Sequence, residues 1–448
     1  MLYSHISKKI LTLQPIFQLY NDNAMLTLKK ITEERDLVIA GLNKKHFPNA
    51  EKTIDEVIDI NSRRRQTQNS LDALLAEQNK LAKQIGMLMK EGKKQEAEEA
   101  KEQTAKYKLQ SKDIADQLSD LEKQLEEKLL QIPNLPNENV PDGKTAEDNI
   151  VERMGGEIVE LPNTALPHWD LAKKHDLIDF ELGVKITGAG FPVYKGKGAR
   201  LQRALINFFL DEARQAGYLE IEPPYVVNSA SGYGTGQLPD KEGQMYHATA
   251  DDLYLIPTAE VPVTNIFRDV ILQENSLPQC LTAYSACFRR EAGSYGKDVR
   301  GLNRLHQFNK VEIVRIDKPE NSYKSLEEMI SHVENLVKKL ELPYRILRLC
   351  GGDMSFTSSI TFDFEVFSAA QKRWLEVSSV SNFESYQANR LKCRYRNSEG
   401  KVELCHTLNG SALALPRIVA AILENNQTED GIKIPKALVP YCGFDMID

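Results

Sequence analysis

The chain has 448 residues, enough for two or three domains, and its 41% hydrophobic and 27% charged residues are those of a folded globular protein rather than a disordered one. No run of about 20 apolar residues occurs, so no membrane-spanning helix is expected, and a net charge of -7 leaves any nucleic-acid contact to local basic patches. Cys280, Cys287, Cys350, Cys393, Cys405 and Cys442 form no C-x-x-C pair, so no zinc site is expected, and the reading is a cytoplasmic chain with reduced thiols.

The first 24 residues carry lysines and scattered apolar residues but no hydrophobic stretch of about 7–15 residues with a small-residue cleavage site, so they are not a secretory signal. The favoured reading is an extension from an upstream start codon. An organelle-targeting peptide is the second reading, weakened because arginine is missing there.

From about Ala50 to Lys90, and again from about Lys94 to Leu130, proline is absent and charge dominates, which predicts two long helices. Leu71, Leu74, Leu81, Ile85 and Leu88 in the first, and Tyr107, Ile114 and Leu121 with Leu118 and Leu125 in the second, make a narrow heptad seam. Gly92, inside Lys90-Glu91-Gly92-Lys93-Lys94, lets the chain reverse, so the pair is predicted to fold as an antiparallel hairpin. About 38 residues per helix give an arm on the order of 55 Å long. Its tip is basic, with Lys83, Lys90, Lys93 and Lys94 against Glu91, a footprint suited to a phosphate backbone. A dimerisation coiled coil is the bland alternative for the hairpin, and a solvated charged face is that for its tip.

Pro133 through Gly143, with prolines at 133, 136 and 141, reads as a linker. Three segments follow: an extension over 1–24, an arm-bearing domain over 25–135 and a second domain over 136–448. In the last, a helix at Ala199 to Gly217 alternates with strand candidates at Tyr225 to Asn228, Leu253 to Pro257, Gln307 to Arg315 and Ile360 to Phe367. The antiparallel-looking hairpin spacing predicts a mixed α+β domain around one large sheet.

No glycine-rich loop ending in Gly-Lys-Ser/Thr is present, so a nucleotide triphosphate has to be gripped by fixed guanidinium forks. Two arginine segments offer them: Cys287-Phe288-Arg289-Arg290-Glu291-Ala292-Gly293, and Thr407-Leu408-Asn409-Gly410-Ser411 running on to Arg417. Between them stands Gly301 to Glu312, with His306-Gln307-Phe308, and before them Pro257-Thr258-Ala259-Glu260. With these ordered segments the chain resembles the class II aminoacyl-tRNA synthetases, and within them the seryl-tRNA synthetase family, from about Met25, which looks like the family's usual start, to Asp448.

The resemblance implies the class II catalytic fold, an antiparallel sheet flanked by helices, and activation of L-serine with ATP and transfer to tRNA(Ser), with tRNA(Sec) left open as a second substrate. It implies that Arg289 bridges the serine carboxylate and the α-phosphate. Arg290, Glu291, Leu305, Phe308, Val377, Ser378 and Arg417 complete the nucleotide site, with Glu291 receiving the adenine amino group and Phe308 and Arg417 enclosing the purine. Glu376 and Ser379 are implied as Mg2+ ligands, the strand Glu376-Val377-Ser378-Ser379 offering hard oxygens on one side. Thr258, Ala259 and Glu260 would take the serine ammonium group, Glu312 its hydroxyl, while Asn409 and Ser411 close the pocket. A homodimer built on the segment Gly198 through Val226 is implied as well.

Arg290, Ala412 and Pro416 depart from the family's usual serine, glycine and glycine. Pro416 is expected to mark a helix start, since proline is tolerated in a first turn. Only 31 residues follow Arg417, too few for the anticodon-binding domain of the threonyl or prolyl enzymes, so the arm is expected to read the RNA. A non-catalytic relative acting as a scaffold or RNA-binding subunit is the remaining alternative, and the intact Arg289, Glu312, Glu376 and Arg417 speak against it.

Overall fold

The computed structural model describes residues 26–292 and 300–448. The extension over 1–24, Met25 and Gly293 lie outside the described residues.

The arm forms where the heptads predict it. Helices Ala50–Lys90 and Lys94–Leu129 run antiparallel, and Gly92, at φ +76°, makes the reversal that a side chain would resist. Leu88, Leu118, Leu121 and Leu125 are buried in the seam, and Leu71, Leu74, Leu81, Ile85, Tyr107 and Ile114 are half-buried. The seam includes a polar rung, where the Gln78 amide donates to the Tyr107 carbonyl (2.8 Å) and to the Ser111 hydroxyl (3.0 Å). At the base, Ile54, Val57 and Ile60 meet Leu121, Leu125 and Leu129 together with Leu26, Ile31, Val38 and Leu42, a core that shares no residue with that of the second domain.

The second domain is built on an eight-stranded sheet. In chain order its strands are β1 (Ile150–Gly155), β2 (Leu219–Glu220), β3 (Gln279–Phe288), β4 (Gln307–Asp317), β5 (Tyr344–Arg348), β6 (Ile360–Ser368), β7 (Arg373–Asn382) and β8 (His406–Ala414). They lie side by side as β1-β5-β6-β7-β8-β4-β3-β2, antiparallel throughout except for the edge pair β2 and β3. The expected α+β layout is present, although the first long helix runs Gly196–Gln215 rather than Ala199 to Gly217, and β4 extends two residues past Arg315.

Strand alternation decides what each face of the sheet does. Val311 and Ile313 of β4 join the main core with Phe364 and Val380, under Leu201, Leu205 and Phe209 of Gly196–Gln215, Met329 and Val333 of Ser322–Lys339, and Ile418 and Ile422 of Leu415–Asn425. On the opposite face Val314 and Ile316 are covered by Ala259, Val263, Ala388 and Leu391. Phe308, Lys310 and Glu312 lie beyond that cover and line an open cleft. The arm-bearing unit is fastened to one wall of it. Lys45 Nζ donates to the carbonyls of Ser355 (2.8 Å) and Ser358 (2.7 Å), Asn134 Nδ2 to those of Thr357 and Phe383 (2.9 Å each), and Tyr386 donates to the Ile132 carbonyl (2.7 Å).

Candidate active site

The cleft encloses about 1300 Å³, above the ~300–1,000 Å³ of a typical small-molecule pocket and enough for two substrates. Thr258, Glu260, Arg289, Glu291, Leu305, Phe308, Glu312, Glu376, Val377, Ser378, Ser379, Asn409, Ser411 and Arg417 all line it. Local chemistry turns them inward. Register pairs Glu312 of β4 with Ser411 of β8 and Val314 with Asn409, so three predicted residues come from adjacent strands. Pro416 lies in the first turn of helix Leu415–Asn425, as expected, and Arg417 follows it. Glu291, three residues past the end of β3, takes φ +47°, a conformation rare outside glycine and common where a site sets its own geometry.

At the closed end of the cleft lies a small polar pocket. Lys310 Nζ is 2.5 Å from Glu312 Oε2, with side-chain exposures of 7% and 2%. Lys310 also donates to the Thr258 hydroxyl (2.8 Å), which in turn donates to Glu312 Oε2 (3.0 Å). Glu260 accepts from Gln387 Nε2 (2.7 Å), whose amide also donates to the Thr235 carbonyl (3.1 Å) and accepts from the Thr407 hydroxyl (2.7 Å). Burial, then the negative charge of Glu312, pushes the Glu260 carboxyl up to about 7. Both effects disfavour an unpaired anion, so a cation entering here meets a carboxylate that gains from being paired. Arg289 stands at the mouth, its guanidinium 5.2 Å from the Phe308 ring centre and its Nε donating to the Pro257 carbonyl (3.4 Å).

The other half of the cleft is a charged shelf. Arg417 Nη1 donates to the Glu376 carbonyl (2.7 Å) and lies 3.8 Å from its carboxylate, and Arg304 pairs with Glu291 (2.9 Å). On a regular strand Glu376 and Ser378 would share a face and Ser379 would oppose them. A bulge at Val377 reverses this: Glu376 pairs with Glu365, Ser378 with Phe364 and Ser379 with Asp363. Glu376 and Ser379 therefore face the cleft together, while the hydroxyl of Ser378 is taken up by the Ser411 carbonyl (2.5 Å). Ser379 donates to Asp363, whose carboxyl is held well above the ordinary range by burial and by neighbouring Glu376.

Two predicted residues are not brought to the cleft. Ala259 is fully buried against Val263 and Phe267, which leaves only its backbone to hold its neighbours in place. Arg290 is exposed and is not among the residues that line the cleft, its backbone amide donating to the Gln244 carbonyl (2.8 Å). Lys83, Lys90, Lys93 and Lys94 are exposed at the far end of the arm. Sequence reasoning passed over Lys310, Gln387 and Asp363. Lys310 had a signal, being two residues before Glu312 on a strand. Gln387 and Asp363 had none, because only the folded sheet sets them beside Glu260 and Ser379.

The antiparallel sheet, the flanking helices and the arginine-lined cleft define a class II tRNA synthetase. Residues 245–426 match the family model of the tRNA synthetase class II core domain (G, H, P, S and T), and residues 25–136 match that of the seryl-tRNA synthetase N-terminal domain. The chain is 53% identical to a serine--tRNA ligase of Salinibacter ruber over 88% of its own length and 92% of the relative's, and 46% identical to that of Chlorobaculum parvum over 95% and 100%. Its fold is similar to a crystal structure of seryl-tRNA synthetase from Pyrococcus horikoshii complexed with ATP, with a TM-score of 0.87 at 33% identity over 94% and 99% of the two chains. The cytoplasmic enzyme of Naegleria fowleri in complex with AMP gives 0.81 at 26% identity over 92% and 96%. The chain belongs to the seryl-tRNA synthetase family.

Proposed function

We propose that this chain is a serine--tRNA ligase that joins L-serine to ATP as seryl-adenylate and then passes serine to the 3′ end of tRNA(Ser). The observation that carries the amino-acid choice is the buried Lys310–Glu312–Thr258 cluster beside Glu260. A site with committed polar groups rejects alanine, which would leave them unpaired. Glu260 with Thr258 takes the ammonium group, Glu312 takes the hydroxyl, and Asn409 and Ser411 close the pocket. Arg289 holds the carboxylate against the α-phosphate, so orientation and charge come from one side chain. Glu291, Leu305, Phe308, Val377 and Arg417 hold the nucleotide, and Arg290, which does not line the cleft, and Ser378, whose hydroxyl is taken by the Ser411 carbonyl, add little.

Glu376 and Ser379 would hold Mg2+. The fit rests on the donor set: hard oxygens on one bulged strand beside the crowded carboxyls of Asp363 and Glu376. Among the described residues no three His, Cys, Asp or Glu side chains converge as a cage, and magnesium is commonly held by one or two carboxylates plus substrate phosphates. Bound, it would offset charge on the phosphates.

The domain scheme of extension, arm-bearing unit over 25–135 and catalytic unit over 136–448 is supported by the two separate cores, and the basic tip of the arm by its exposure to a tRNA backbone. A cytoplasmic homodimer completes the reading, supported by the exposed apolar Leu219 on the edge strand β2 and by exposed Val226 seven residues on. Among the described residues no helix is long and apolar enough to cross a membrane. ATP–pyrophosphate exchange across the twenty amino acids tests the assignment: serine should drive exchange and threonine lag far behind, and equal exchange with alanine would overturn it.

A further inference from the structure

Helix Leu415–Asn425 carries Arg417 at its start and the fully buried Glu424 at its end. Glu424 Oε1 is 2.7 Å from Nδ1 of His168, which is also fully buried, and it accepts the His168 backbone N–H (2.9 Å). The other ring nitrogen, Nε2, lies 2.8 Å from the backbone nitrogen of Leu302. An amide N–H can only donate, so Nε2 is the acceptor and Nδ1 carries the proton toward Glu424. Glu424 also accepts from Ser368 and from Gln371 Nε2 (2.9 Å); burial would raise its carboxyl, but the contacts from His168 and then Ser368 outweigh it and leave it below the ordinary range.

The same Gln371 turns its oxygen to Asn303 Nδ2 (3.1 Å). Two successive residues of one loop, Leu302 and Asn303, are thus tied to a single buried carboxylate by different intermediaries. The loop in turn touches both ends of the charged shelf: the Asn303 carbonyl accepts from Arg417 Nε (3.2 Å), and Arg304 holds Glu291. Gly301 completes the fit. Its φ is +65°, and a Cβ there would come within 2.3 Å of His168 Nε2. None of Glu424, His168 or Gln371 lines the cleft.

We infer that Glu424, His168 and Gln371 are positioning residues for ATP: they fix the Gly301–Arg304 loop, which sets the directions of Arg417 and Glu291 from behind the site. This rests on the nucleotide roles proposed for those two side chains. A purely structural hydrogen-bond network would affect folding alone, whereas a clamp on this loop has to act on nucleotide affinity while leaving the serine pocket on β4 and β8 intact.

The test uses the full chain with His168→Ala, His168→Gln, Gln371→Ala and Gly301→Ala. His168→Ala frees the Leu302 amide and should raise the KM for ATP in exchange about ten-fold or more with little change in the KM for serine. A glutamine oxygen reaches where Nε2 stood, so His168→Gln should restore most of the ATP affinity. Equilibrium dialysis with ATP alone should show the same order. If His168→Ala does not fold, Gln371→Ala, a half-buried position, carries the decision through the Asn303 bond. Unchanged ATP affinity in Gln371→Ala and in every variant that folds, or an equal rise in the KM values for both substrates, would overturn the clamp. Failure of the serine assignment is separable, because the parent would then exchange with another amino acid and the ATP dependence would be read with that one.

Discussion

Lys310 and Glu312, two residues apart on β4, face each other across 2.5 Å in a pocket almost closed to water. Taking one partner from such a pair leaves a buried charge uncompensated, at a cost of about 3–5 kcal/mol. Lys310→Met should therefore lower stability in denaturant titration, and Lys310→Met with Glu312→Gln should recover most of the loss. Full stability in the single variant would show that water reaches Glu312. In protein that folds, Glu312→Ala should reduce the preference for serine over alanine about 10–100-fold. An unchanged ratio would place hydroxyl recognition elsewhere.

Arg289→Ala should slow adenylate formation by about 10²–10³, the worth of one contact formed to developing charge. Its guanidinium rests on Phe308 and one carbonyl rather than in the core, so the melting temperature should stay near that of the parent. Equal exchange rates at matched melting temperatures would rule out the bridging role.

Glu260 gives the site a pH signature. Its carboxyl, raised to about 7 by burial and then by Glu312, keeps a proton in the folded chain that the unfolded chain has already released above its ordinary value near 4.5. Between those two values the folded state binds more protons, so stability from this group falls as pH rises from about 4.5 to about 7 and levels off beyond. With Glu260 in its proposed ammonium-binding role, serine binding should run the other way, since the ammonium group is held by the carboxylate. The KM for serine should drop as pH climbs through about 7, and Glu260→Gln should flatten both profiles. Parallel profiles in variant and parent would remove Glu260 from the ammonium site.

Deleting Lys83 through Glu102, with a short turn in their place, should preserve serine-dependent exchange, because the arm's core shares no residue with that of the catalytic unit. Aminoacylation of tRNA should collapse. In the intact chain it should weaken steeply with added salt, as a backbone-tracking contact does. Full charging by the shortened chain at tRNA concentrations near the parent's KM would show that the RNA is read elsewhere.

The sequence by itself determined the arm, its reversal at Gly92 and most of the site. Heptads at Leu71 through Leu125 and a glycine between charged helices are local signals, and residues such as Arg289, Glu312 and Arg417 stand in recognisable order along the chain. Only the tertiary structure decided which side chains converge. Glu376 and Ser379 were expected on one side of their strand, yet regular alternation would separate them; the bulge at Val377 brings them to one face, and that bulge depends on register with the partner strand β6 as much as on β7. Gln387 reaches Glu260 across 127 residues, and Glu424 reaches His168 across 256. No window of sequence contains such pairs: alternation says which face a side chain takes, and long-range packing of helices on the sheet chooses what it meets there.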